Sequence, residues 1–484
     1  MPAITKRYTL SGIAAACILV TLLAGSARAS EHKLINFTRA AGVPTGAWCW
    51  YQDERVVIDT DHPNGPMMLM GSVSFSRTDA FEHGDIDLLW HNLRTGEAGA
   101  FELHDRLQPD DHDVPALHIR DDGRYVAIYS THSSDRIMRW RVSTHPHDPT
   151  AWEPEQTYEN KVIICYSNIF KLADRDGVHQ LYNFSRSDDS DPNYFVSSDR
   201  GDTFRYGGKL LTGPDGNTAR GQRPYMKYAS HTPEKLHFLL TDGHPRDEDN
   251  SIYHGYMSRE RLHRTDGLVL GSVSRRRVSS HLAPDFTTVL ATGAKFNGVE
   301  MRHAWTIDLH LDPHGHPVAA MSARANNSDL DHRFLYGRWD GSKWNVFEIA
   351  KAGGYLYKFE NDYTGLMAIH PDNPDIIFIS SPIDPRDDAQ LQHYEIFMGR
   401  TPDKGATWAW APVTWNSNAD NLRPIVPIWK PGKTIVTWLK GGLNTYADWD
   451  SQIVGYIMDT EDLDDMVVPG QISVTRKAMS PDKP

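Results

Sequence analysis

A hairpin unit recurs along this chain, and it limits the fold more than any other feature. Each copy has a first strand, a tight turn, then an apolar second strand that ends in polar residues. It occurs as "WCWYQDERVVID…GPMMLMGSVS" near residue 50, at 112–132, and as "YSNIFKLADRDGVHQLYNFSR" at 166–186. Further copies lie at 223–243, 305–324, 363–382 and 423–441. Their starts are about 55–60 residues apart, except for a longer interval covering 247–300, and self-similarity of that period signals a solenoid, propeller or array. Helical periodicity is nearly absent. Short β-rich runs such as "RYVAIYS", "KLHFLLT" and "TIVTWLK" are punctuated by "DDG", "RDG" and "KPGK" turns. Seven units of this length suit an all-β, seven-bladed β-propeller with four-stranded blades.

A second marker agrees. "SSDRGDTF" (197–204) and "TPDKGATW" (401–408) match the Asp-box pattern S/T-x-D-x-G-x-T-W/F. In that motif Asp and Gly shape the turn between the third and fourth strands, and the aromatic residue packs between blades. A strand near 32–38 and a segment near 452–475 are expected to complete one blade and close the ring.

The N-terminus reads as processing rather than fold. Lys6 and Arg7 precede the apolar run "IAAACILVTLLAG", which leads to Ala27-x-Ala29, the pattern of a secretory signal peptide cleaved after Ala29. The expected organisation is a signal at 1–29, one propeller domain at 30–475 and a tail at 476–484. No later stretch is apolar enough to span a bilayer, so a secreted or periplasmic, membrane-free monomer is expected. The net charge of −13 argues against nucleic acid as a partner. Any anionic ligand would need a local basic pocket working against that field. After cleavage only Cys49 and Cys165 remain; they could pair, bind metal or stay free.

Register turns the repeat into a site. His112 opens one hairpin and His132 closes it; Tyr166 and Arg186 hold the matching positions in the next. The following copy opens with Arg223 and Tyr225 and exits through Asp242, His244 and Arg246. Every hairpin of a propeller enters and leaves at one face near the axis, so these residues should converge over three adjacent blades. Trp305, Arg324, Arg423 and Trp438 could line the remainder of a groove. Tyr228, Tyr253 and His254 read as packing.

Such a cluster is poor in the paired carboxylates that glycoside hydrolysis uses. It suits elimination at a uronic acid. Loss of the C5 proton places charge on the adjacent carboxylate, which an Arg can stabilise. A His or Tyr takes that proton, and a second one protonates the departing O4. Which residue is base and which is acid stays open at this level. The expected roles are catalysis by His112, His132, Tyr166 and Arg186, and substrate binding by Arg223, Tyr225, His244 and Arg246. Arg223, Arg246 and Arg423 are candidates for sulfate or carboxylate groups in flanking subsites.

"GAWCWYQDERVVID", "DDHDVPALHIRDDGR", "YSTH", "YSN", "RPYMKY", "TDGHPR" and "NSIYHGY" together resemble the Asp-box-containing propeller lyases. These are the ulvan lyases of polysaccharide lyase families 24 and 25 and relatives that release rhamnose from rhamnosyl-glucuronate. The resemblance runs from about 46 to 330 and more faintly to about 440. It implies β-elimination on an anionic, uronate-containing polysaccharide, ulvan first. It assigns the acid–base work to His112, His132 and Tyr166, with Tyr182 as the alternative tyrosine, and carboxylate neutralisation to Arg186; the "RPY" tyrosine is Tyr225. It further implies a structural calcium or zinc, not required for the chemistry, for which Cys165, His179 and His244 are candidate ligands, although their spacing matches no metal motif. Three alternatives stay open: a rhamnosyl-glucuronate lyase on plant gum side chains, a non-catalytic glycan-binding propeller, and a sialidase-like hydrolase. The last would need an arginine triad and a Tyr–Glu nucleophile, and the sequence has no Arg-Ile-Pro-type start.

Overall fold

Inner strands that are buried on both faces lose the alternation of a half-exposed strand and read as continuous apolar runs. Met67–Ser74 and Pro317–Ala325 are buried at every position, whereas the outer strand Ala98–His104 is mostly half-buried or exposed. That gradient arises from sheets stacked face to face around an axis. The computed structural model describes residues 33–76, 83–213 and 223–466, and shows seven such antiparallel sheets, a seven-bladed propeller. The expected signal at 1–29 and tail at 476–484 lie outside the described residues. No described helix is long and apolar enough to cross a membrane.

Each repeat copy is the inner hairpin of one blade. Blade 1 opens with Val56–Asp59 and Met67–Ser74, blade 2 with Ala116–Ile119 and Tyr125–Ser130, and blade 3 with Cys165–Ala173 and His179–Arg186. Blade 4 opens with Met226–Thr232 and Lys235–Thr241, blade 5 with Val299–Leu311 and Pro317–Ala325. Met367–Ile369 and Ile376–Ile383 open blade 6, and Asn421–Ile425 and Lys433–Lys440 open blade 7. The long interval in the repeat has a simple cause. Blade 4 carries two extra strands, Val269–Ser272 and Thr287–Leu290, in a six-stranded sheet. Blade 7 is closed from both directions, because Ile35–Asn36 pairs with Gln452–Asp459 on its outer edge. Closure removes an exposed edge and ties the ends of the ring together.

Both Asp boxes form the same turn. The Asp199 carboxylate accepts from Thr203 N at 2.9 Å and Ser197 Oγ at 2.7 Å; Asp403 accepts from Thr407 N at 2.7 Å and Thr401 Oγ1 at 3.0 Å. Phe204 packs edge-on against Trp140 of the preceding blade at 5.2 Å, and Trp408 against Tyr336 at 5.1 Å. Gly405 in the second box has φ +108, and a Cβ there would lie 2.6 Å from the Tyr336 ring. Gly405→Ala is therefore expected to destabilise the protein by about 3 kcal/mol, through strain plus overpacking. An unchanged denaturant midpoint would refute this account of the turn.

Candidate functional site

The start positions of the seven hairpins meet at one mouth of the ring. Trp50 lies 4.8 Å from Tyr363 and 5.2 Å from Trp305, and Trp305 lies 5.3 Å from Tyr225. His112 meets Tyr363 through Nε2 at 3.1 Å, and the Arg423 guanidinium sits 5.4 Å from the Trp50 ring. All are buried, so an aromatic floor closes the axis beneath the polar groups.

Asp110 joins the two ends of the blade 2 hairpin. It caps a single turn of 3-10 helix, Asp111–Asp113, and its Oδ1 accepts from His112 N at 3.0 Å and meets Nδ1 at 2.6 Å. Its Oδ2 meets His132 Nδ1 at 2.9 Å. The two imidazoles stack with centroids 4.0 Å apart and planes 18° apart. Burial disfavours a charge on His112, but Cys49, Tyr363, Asp110 and Asp111 outweigh it and lift its pKa well above the ordinary histidine value. Burial and the neighbouring His112 push His132 down to about 4. Although burial opposes it, His112 and His132 hold the Asp110 carboxyl below its usual range. The pair thus holds one charged ring beside one neutral ring, and His132 keeps a fifth of its side chain accessible.

Blade 3 contributes the next group. A bulge between Cys165 and Asn168 breaks the register, and Tyr166 there adopts φ +63. Bulges re-aim side chains, and this one turns the Tyr166 ring to within 5.7 Å of His112 and 5.9 Å of His132. Arg186, paired in register with Cys165, lies 4.7 Å over the Tyr166 ring and donates from Nη1 to Tyr225 Oη at 2.8 Å. Burial raises the Tyr166 pKa well above its ordinary value despite Arg186, so the phenol keeps its proton. Tyr166, Arg186 and Tyr225 line a small hollow that opens between blades 3 and 4.

The third group is more tightly committed. His244 packs edge-on to Tyr225 at 5.1 Å, and burial together with Arg223, Arg246 and Arg186 lowers its pKa well below the ordinary value. Arg246 donates to Glu360 at 2.8 Å, and Arg223 lies 3.6 Å from Asp247. All eight proposed site residues therefore reach one face.

Several expectations need correction. Arg423 is fully buried, with Nη1 on Asp111 at 2.5 Å, so it cannot reach a ligand in a flanking subsite. Arg324 is held bidentately by Asp362 at 2.7 and 2.6 Å, and Trp438 donates to Asn421 inside blade 7, so neither lines a groove. Tyr182 pairs with Phe170 in mid-strand and points to Glu260 of blade 4, away from the mouth. Tyr228, Tyr253 and His254 are buried in blade 4, as read from the sequence. Cys49 and Cys165 are both free.

The suggested metal ligands also separate. Cys165 pairs with Arg186 at the mouth while His179 pairs with Ala173 at the other end of the same strand, about 26 Å away at the usual rise per residue. Two other donor sets are compact, Cys49–Asp111–His112 and Asp110–His112–His132. Both depend on His112, whose Nδ1 meets Asp110 and Nε2 meets Tyr363; Asp111 gives Oδ2 to Arg423 and leaves Oδ1 buried without a hydrogen-bond partner. In this arrangement the residues form a hydrogen-bonded histidine–carboxylate unit.

Asp110, Tyr363 and Glu360 also join the cluster at the mouth, through His112 and Arg246, and are absent from the site read from the sequence. Tyr363 opens its repeat copy in the position of His112 and Tyr166, so register alone could have found it. Glu360 lies in a loop outside the repeat unit and carried no such signal.

Fold and site together define a seven-bladed propeller with a histidine–tyrosine–arginine cluster at its axial mouth. The chain belongs to the BNR repeat-containing family, whose profile matches residues 76–352. In fold it is similar to a PL25 ulvan lyase bound to -[GlcA(1-4)Rha3S]-, at 15% identity and TM-score 0.61, covering 90% of this chain and 100% of that one. A second PL25 ulvan lyase structure gives 15% identity and TM-score 0.60 over the same shares. An α-L-arabinofuranosidase of family GH93 from Fusarium graminearum gives 11% identity and TM-score 0.41, over 72% of this chain and 92% of that one. No curated protein matches by sequence.

Proposed function

We propose that this protein is a secreted or periplasmic polysaccharide lyase that cleaves ulvan by β-elimination and leaves an unsaturated uronyl end. One observation carries it: the buried Arg186 guanidinium lines the hollow with Tyr166, whose ring lies 5.9 Å from the neutral His132, and no carboxylate pairs with it among the described residues. A cation so placed suits the charge that develops on a uronate carboxylate when C5 loses its proton. His132, neutral and partly accessible, takes that proton. The C4–O4 bond breaks as the C4–C5 double bond forms, and the Tyr166 phenol protonates O4. Arg186 then steadies the phenolate, and charged His112 holds His132 neutral. His244, Tyr225, Arg223 and Arg246 flank the bound sugars. The chemistry needs no metal, and the protein acts as a monomer on its anionic polysaccharide.

The carboxylates at the mouth disfavour a hydrolase. Asp110 is clamped by two histidines, Asp111 by Arg423, Asp362 by Arg324 and Glu360 by Arg246. Asp113, in the same turn as His112, has neither carboxyl oxygen hydrogen-bonded but is fully buried, so these acids offer no open pair of the kind that inverting or retaining glycosidases use. The arginines do not form a free triad either, as a sialidase-like site would require. Incubation of the mature protein with ulvan should produce near-UV absorbance from the conjugated uronate. Absorbance with gum arabic alone would move the assignment to a rhamnosyl-glucuronate lyase. Sugar release without absorbance, or no product from either polymer, would overturn elimination.

A further inference from the structure

Buried arginines at this mouth follow a rule, and Arg186 breaks it. Arg423 rests on Asp111 at 2.5 Å, Arg324 on Asp362 at 2.7 and 2.6 Å, and Arg55 lies 3.8 Å from Asp53. The comparison with Arg324 is close, since both arginines lie in the last two positions of the second strand of their hairpins. A buried cation without an anion is costly, so a carboxylate beside Arg186 would be the ordinary solution. The residue paired with it across the strands is instead Cys165, 2% exposed. Arg186 donates from Nε to Cys165 Sγ at 3.2 Å and from Nη1 to Tyr225 at 2.8 Å. Its Nη2 has no hydrogen-bond partner among the described residues, and the side chain lines the hollow.

We infer that Cys165 is a positioning residue, which orients Arg186 through a sulfur acceptor where a carboxylate would ordinarily stand and so leaves the guanidinium fork open to a carboxylate-bearing sugar. Sulfur is a weak hydrogen-bond acceptor and makes one contact, where a carboxylate would meet the guanidinium fork at two. It holds Nε and, among the described residues, leaves Nη2 open. An aspartate here would fix it equally well and consume the charge that a ligand needs. The low-dielectric surroundings make the difference large, because a buried anion at this distance competes directly with the substrate carboxylate. This inference rests on the lyase reading for its substrate.

The test compares Cys165→Ser, Cys165→Ala and Cys165→Asp in the full mature chain. Turnover of ulvan is followed by absorbance, and binding of an ulvan oligosaccharide and its carboxyl-reduced form by calorimetry. Cys165→Ala should lower kcat about tenfold with little change in KM, as expected when one hydrogen bond to a charged group is lost. Cys165→Ser should restore most of that loss. Cys165→Asp should weaken binding of the carboxylated ligand about 100-fold and erase its advantage over the carboxyl-reduced form, a change that loosened packing would not cause. Native-like binding of the carboxylated ligand by Cys165→Asp would overturn the inference. If that variant does not fold, equal loss in the Ser and Ala variants does so. A wild type that binds the carboxylated oligosaccharide without forming unsaturated product overturns the lyase reading alone, and binding then decides the role of Cys165. A wild type indifferent to the carboxyl group overturns both.

Discussion

Arg186→Ala is expected to lower kcat/KM on ulvan by about 10³-fold, the size of effect seen when a group that stabilises developing transition-state charge is removed. The same substitution should leave the melting temperature unchanged or raise it. Arg186 is buried, is paired with no carboxylate among the described residues and rests on a thiol, a phenol and two aromatic faces. Removing an uncompensated buried charge costs little and often stabilises. Catalysis and stability should therefore move in opposite directions. Arg186→Lys should recover only part of the loss, because an ammonium is a point charge without the planar fork that meets both carboxylate oxygens. Absorbance kinetics and a melting curve on the same preparations decide the matter. Activity within tenfold of wild type, or a collapse of the fold together with activity, would sink the assigned role.

Why Arg186 was legible in the sequence, and Asp110 was not, comes down to what a repeat encodes. Strand register is periodic, so equivalent positions of successive copies must share a face. His112, Tyr166, Arg223 and Trp305 could be gathered at one mouth from spacing alone, and the structure gathers them. Closure at blade 7 and both Asp-box turns followed from the same logic. Register does not encode partners. Arg186, Arg324 and Arg423 look alike as letters, yet two of them are neutralised by Asp362 and Asp111, which arrive from other blades. Tyr182 and Tyr166 were both plausible until the bulge at Cys165–Asn168 showed which one turns inward. Asp110 matters because its two oxygens reach the two ends of one hairpin, a relation of space and not of spacing.

That relation gives the second large effect. His132→Ala should lower kcat by about 10²–10⁴-fold, the range for removal of a positioned general base. The wild-type pH profile should carry the signature of how His132 is held. A base works only when unprotonated, so kcat/KM should be lost as pH falls through the pKa of His132. Burial and charged His112 set that near 4, well below the ordinary histidine value of about 6.5. The enzyme should thus stay active at pH 5, where an ordinary histidine base would be almost wholly protonated. His112→Asn removes the charge stacked 4.0 Å away, and should move the acid limb upward while burial keeps it below the ordinary value. An acid limb at about 6.5 in the wild type, or a limb unmoved by His112→Asn, would mean that the base is elsewhere. Tyr166 cannot replace His132 in that role without losing the proton that burial makes it keep. A profile without any acid limb between pH 3 and 7 would therefore exclude His132 as the base.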